Sequence, residues 1–153
     1  MRSIVLLCSV MALVTTQVWR FQGDRRGLTA RATEYTPKDG FLARYRRKAI
    51  GKWEKDIKKL EARDAAESDP EDAIMFIGSS SIRRWSDIAT DMAPFRTIQR
   101  GYGGAKYSDV AIFSKRLLYP HEYRALVIFV GNDVQGKTED HTPDQIEELV
   151  RYI

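Results

Sequence analysis

Three short strand-like runs, Ala73 to Ile77, Arg96 to Gln99 and Leu126 to Val130, alternate with amphipathic segments. No other feature of the chain constrains its fold as much. Leu126-Val127-Ile128-Phe129-Val130 is apolar throughout, as in strands of a parallel sheet covered on both faces. Between the runs, Arg83 to Met92 reads as largely helical. Ser108 to Leu118 does too, with Val110, Phe113 and Leu117 on one face. Thr142-Pro143-Asp144-Gln145 opens another helix, with Thr142 as N-cap, Pro143 at the first position and Gln145 closing a capping box. Ahead of all this, Leu42, Tyr45, Ala49, Trp53, Ile57 and Leu60 recur at spacings of three and four, one apolar face of a long helix. The alternation predicts an α/β fold, a parallel sheet with helices on both faces. Only three strands are visible, and the chain stops at Ile153 inside the helix that Thr142 begins. Leu149, Val150 and Ile153 are expected to pack on a partner not yet written, in a domain incomplete at its C-terminus.

The chain has 153 residues, 43% hydrophobic and 30% charged, which suits one globular domain and excludes a disordered chain. The N-terminus departs from that average. Met1-Arg2-Ser3 precedes an apolar run from Ile4 to Val14, too short to span a bilayer comfortably. Residues 1–18 are therefore expected to be a secretory signal, placing the domain outside the cell or in a periplasm. Arg20, Arg25 and Arg26 follow closely and oppose export, so an uncleaved anchor is the alternative. Residues 19–40 read as a linker and 41–153 as the domain. Cys8 is the single cysteine, so neither an internal disulfide nor a cysteine metal site can form, and no cofactor or metal is expected. The net charge of +4 gathers in arginine-rich stretches, among them Arg44, Arg46, Arg47 and Lys48. Glu54, Asp56, Glu61 and Asp64 follow without any nucleic-acid motif, so these cations read as a solvated face and no nucleic-acid partner is expected.

After the first strand comes Gly78-Ser79-Ser80-Ser81-Ile82, a tight turn into a helix. A hydroxyl there stands at the carboxyl end of a strand, where open α/β sheets bind ligands. The same serines can simply cap the helix. Arg100-Gly101-Tyr102-Gly103-Gly104-Ala105 follows the second strand, and Gly131-Asn132-Asp133 the third. All three turns should emerge at one sheet edge. A glycine N–H and an asparagine amide are suitable donors for an oxyanion beside a serine nucleophile.

These residues resemble the SGNH, or GDSL-type, hydrolases, in a branch whose first motif reads Gly-Ser-Ser-Ser-Ile. The resemblance runs from about Trp53 to the end, through Phe76 to Trp85, Arg100 to Asp109 and Phe129 to Lys137. It implies a three-layer flavodoxin-like sheet and a small acyl ester as substrate, an acetyl ester on carbohydrate or lipid included. By position it implies Ser80 as nucleophile, with Gly104 and Asn132 completing the oxyanion hole. Ser79 and Ser81 compete with Ser80. Ser79 stands where the wider family has aspartate, and Val130 where it has the first glycine of the third motif. Gln99 stands where an asparagine precedes Arg-Gly, which predicts a looser loop. The late Asp-x-x-His that supplies acid and base in the family is absent. His121 should lie at the opposite edge, and His141 reads first as an exposed loop residue. The expectation is an ester-hydrolase fragment, inactive or poor as it stands. The alternative is a non-catalytic ligand-binding or interaction protein on the same fold.

Overall fold

The computed structural model describes residues 3–6 and 40–153. In chain order its elements are β1 (Ser3–Leu6), α1 (Ala43–Asp64), β2 (Ile74–Gly78), α2 (Ser80–Arg83), α3 (Ile88–Asp91) and β3 (Thr97–Gly101). Then come α4 (Tyr107–Leu118), β4 (Ala125–Phe129), a 3-10 turn (Gly131–Asp133) and α5 (Pro143–Tyr152). The sheet is parallel and four-stranded, in the order β1-β4-β2-β3. The sequence alone shows three of these strands. Ser3–Leu6 adds a fourth on the outer edge of β4, from Ser3 opposite Ala125 to Leu6 opposite Ile128. The other residues of the expected leader and linker lie outside the described residues.

The apolar strands are covered on both faces, as their composition predicts. From β2, Met75 and Ile77 join Trp53 and Ile57 of α1, Val110, Phe113 and Leu117 of α4, and Leu149 of α5 in the larger core. Ile74 and Phe76 point the other way, onto Ile82 and Ile88, with Trp85, Val127 and Phe129 packed alongside. Trp53 is buried in the α1 stripe, its ring edge-on to Tyr102 at 5.6 Å. Leu149 is fully buried and Val150 and Ile153 pack on the same core. Leu149 thus finds its apolar partners within the chain, while Val150 and Ile153 are half-buried.

Arg116 of α4 fastens that helix to α1. Its guanidinium reaches Glu54 at 2.8 and 3.0 Å and Glu61 at 2.7 and 2.8 Å, a fork geometry suited to carboxylates. These hydrogen bonds hold both glutamate carboxyls below their ordinary range, against the opposing effect of desolvation.

The helix expected over Arg83 to Met92 is two short helices with a break between them. The reason is Gln99. Its side-chain amide donates to the carbonyl of Ile82 at 2.5 Å and of Trp85 at 2.8 Å. The Ile82 oxygen that would otherwise continue the helix is thereby satisfied from β3. Trp85 turns instead onto Phe76, ring centroids 5.8 Å apart, and donates its indole N–H to Asp91 at 2.6 Å.

Candidate functional site

The site begins where β2, β3 and β4 end together. Gly78 stands opposite Gly101 on one side and Phe129 on the other. The three following turns therefore leave the same carboxyl edge. Gly78 has φ +142°, and a Cβ there would fall on the carbonyl oxygen of Phe129. Only glycine lets β2 turn so close to β4. The turn is pinned on both sides, with Ser79 N–H donating to Phe129 O at 3.0 Å and Tyr102 N–H to Gly78 O at 3.1 Å.

The three candidate serines differ sharply in surroundings. Ser79 is buried at 1% exposure, Ser80 is half-buried and Ser81 is exposed. Ser79 is the N-cap of α2 by backbone conformation, yet its hydroxyl makes no capping hydrogen bond. Ser80 combines partial access with a fixed place at the first residue of the helix. Gln99 holds the far end of this short helix, so a residue of β3 braces the serine turn. Gln99→Leu should lower stability by about 1–3 kcal/mol, because the Trp85 carbonyl loses its donor and the Ile82 carbonyl one of its two. An unchanged urea midpoint would contradict that role.

From β3, the glycine loop brings Gly104 against the third loop. A Cβ on Gly104 would lie 3.1 Å from the Asn132 amide nitrogen. Gly104 and Asn132 are thus neighbours above the strand ends, on the edge from which Ser80 also emerges.

Asp133, next to Asn132, joins those two loops. Its side chain has no solvent exposure. Oδ2 accepts from the backbone N–H of Tyr107 at 2.7 Å, at the start of α4, and lies 2.8 Å from His141 Nδ1. Lys106 Nζ lies 3.2 Å from Oδ1 and also binds the Glu139 carbonyl and Asp140. Burial alone would raise the Asp133 carboxyl. The His141 ring, the Tyr107 N–H and Lys106 outweigh it and hold the carboxyl below its ordinary value. The sequence by itself assigns Asp133 no role. Its only signal is an acid one residue beyond the asparagine.

His141 is not the exposed loop residue expected. Its side chain is 8% exposed, and its ring meets Tyr45 at 5.4 Å between centroids. It ties the loop after the 3-10 turn to Asp133 and α1. His121 lies at the opposite edge, as expected, and is buried. Its Nδ1 is 2.8 Å from Asp69 and its Nε2 3.2 Å from Asp64.

Among the described residues, no group of three or more His, Cys, Asp or Glu is placed to hold a metal ion. A cavity of about 290 Å³ lined by Glu71, Asp72, Pro94, Phe95 and Arg96 faces away from the three loops. It precedes β2 and β3 in the chain and therefore sits at the wrong edge for the serine.

Comparison with known proteins adds the fold. One structural neighbour is a protein from Streptococcus pneumonia provisionally described as a platelet activating factor. The two superpose with a TM-score of 0.53 at 16% identity, over 72% of this chain and 50% of that one. This chain thus spans about half the length of that protein. No family model and no curated protein matches it. At this identity the likeness supports an α/β sheet flanked by helices and leaves the chemistry to be argued from the residues. No described helix is long and apolar enough to cross a membrane.

Proposed function

We propose that the chain carries the nucleophile and oxyanion-hole portion of a serine ester hydrolase acting on small acyl esters. The observation that carries this reading is the meeting of Gly104 and Asn132 on the sheet edge from which Ser80 emerges. In the proposed reaction, Ser80 Oγ attacks the ester carbonyl carbon. The resulting oxyanion takes hydrogen bonds from the Ser80 and Gly104 N–H groups and the Asn132 amide. The serine proton passes through solvent to the departing alcohol, leaving an acyl-serine that water then hydrolyses to the free acid and the restored hydroxyl.

A serine hydroxyl is a weak nucleophile at neutral pH and needs a base for its proton. His121 serves the opposite edge, and His141 bonds Asp133 through Nδ1 and packs on Tyr45, with no described hydrogen bond joining its ring to Ser80. Neither is assigned as that base. Binding and oxyanion stabilisation alone support a residual rate of about 10³–10⁴ over water.

The test is hydrolysis of short-chain p-nitrophenyl esters by the intact chain, Ser80→Ala and His141→Ala. Turnover above that serine-independent background should be lost in Ser80→Ala and persist in His141→Ala when corrected for the folded fraction. Turnover that stays above the background in Ser80→Ala would remove the proposed nucleophile. Fast turnover lost in His141→Ala would make that histidine the base.

A further inference from the structure

We infer that the outward face of α1 docks this protein on an anionic lipid surface. In the sequence, the cations of this helix look balanced by the acids that follow. The folded chain separates them. Glu54 and Glu61 are turned toward α4 and neutralised by Arg116, and Asp64 is held by Arg100 at 2.5 Å and His121 at 3.2 Å. Asp56 sits beside Lys59 at 3.9 Å.

What remains on the surface is nearly all positive. Arg44, Arg47, Lys48, Lys52 and Lys55 are exposed, on the side of the helix opposite buried Ala49, Trp53, Ile57 and Leu60. They form a stripe of roughly 16 Å, from eleven residue steps along the axis. No described carboxylate lies within ion-pair distance of Arg44, Arg47, Lys48 or Lys55. The first turn of α1 also contains no acid, so its cations face the positive end of the helix dipole. That arrangement opposes helix formation. An external anionic surface relieves the repulsion, and none is supplied by the described parts of the fold.

A lipid surface suits this face better than a nucleic acid does. Single strands are held in grooves with aromatic platforms. Here the stripe lies on one convex helix, and its aromatic rings are covered. Arg44 lies over the Tyr45 ring at 4.8 Å and Lys52 over the Trp53 ring at 4.5 Å. Their stems rest on the rings while their charges stay at the surface. Lysine and arginine near an anionic bilayer each strengthen binding about fivefold, and the effect is screened within a Debye length.

The experiment is co-sedimentation of the full chain with vesicles of phosphatidylcholine alone, or of phosphatidylcholine with phosphatidylserine. Binding should require phosphatidylserine and disappear in about 1 M salt. Lys48→Glu with Lys55→Glu should weaken it by more than about 25-fold, and Lys137→Glu, on an exposed loop, should not. Both α1 substitutions replace exposed residues opposite the packed face, so the double variant should remain folded by circular dichroism. Three results would overturn the inference: no binding to anionic vesicles at low salt, salt-resistant binding to neutral vesicles, or an unaffected double variant. Tighter binding to a single-stranded oligonucleotide than to vesicles at matched phosphate would also overturn it.

Discussion

Asp133→Ala should destabilise the protein by about 3–5 kcal/mol, the range for removing one partner from a buried charged cluster. The substitution takes from Lys106, His141 and the Tyr107 N–H the carboxylate they share. It also unties the loop carrying Gly104 from the loop carrying Asn132. The same group sets an acid limit. Its folded-state carboxyl titrates below the ordinary value, so its contribution is complete above the unfolded value of about 3.9. That contribution is lost as pH falls through the lowered folded value. Urea midpoints of wild type and Asp133→Ala should therefore differ most at neutral pH and draw together in strong acid. A constant difference down to the lowest accessible pH would mean that the Asp133 carboxylate is not what stabilises the wild type.

Gly78→Ala should cost about 2–6 kcal/mol, combining a strained positive φ with overpacking against an immovable main chain. The Phe129 carbonyl it would strike also accepts from Ser79 N–H, so relief by moving β4 would break the turn that positions Ser80. Gly51→Ala is the matched control. Nothing lies within 4 Å of a Cβ there, and glycine within a helix costs about 0.5–1 kcal/mol relative to alanine. The control should gain stability while Gly78→Ala loses most of it. Equal midpoints would show that the strand-end geometry tolerates a side chain and that the turn is looser than described.

The core was legible because it follows local periodicity. The spacing of three and four in α1 buries Ala49, Trp53, Ile57 and Leu60, and the apolar run of β4 is covered on both faces. The Thr142 capping box also forms, with Thr142 N–H donating to Gln145 Oε1 at 2.9 Å. What escaped were pairings between residues far apart in the chain. Nothing near Gln99 indicates that its amide will take the carbonyls of Ile82 and Trp85 and break a helix. Glu54 and Glu61 look like neighbours for the lysines of α1 until Arg116 arrives from α4. At the site, the order of the three turns was readable, since parallel strands deliver their ends to one edge. The exposure that separates Ser80 from Ser79 and Ser81, and the bond from Asp133 to His141, depend on tertiary contacts.

The central claim is that Ser80, alone among three adjacent serines, is the nucleophile served by Gly104 and Asn132. Prolonged exposure of the folded chain to a fluorophosphonate, followed by mass mapping of the labelled peptide, tests it directly. The account predicts modification at Ser80, none in Ser80→Ala although Ser79 and Ser81 remain, and a rate lowered about 10²–10³-fold in Asn132→Ala. Label on Ser81 or Ser79, or equal labelling of Asn132→Ala, would contradict it.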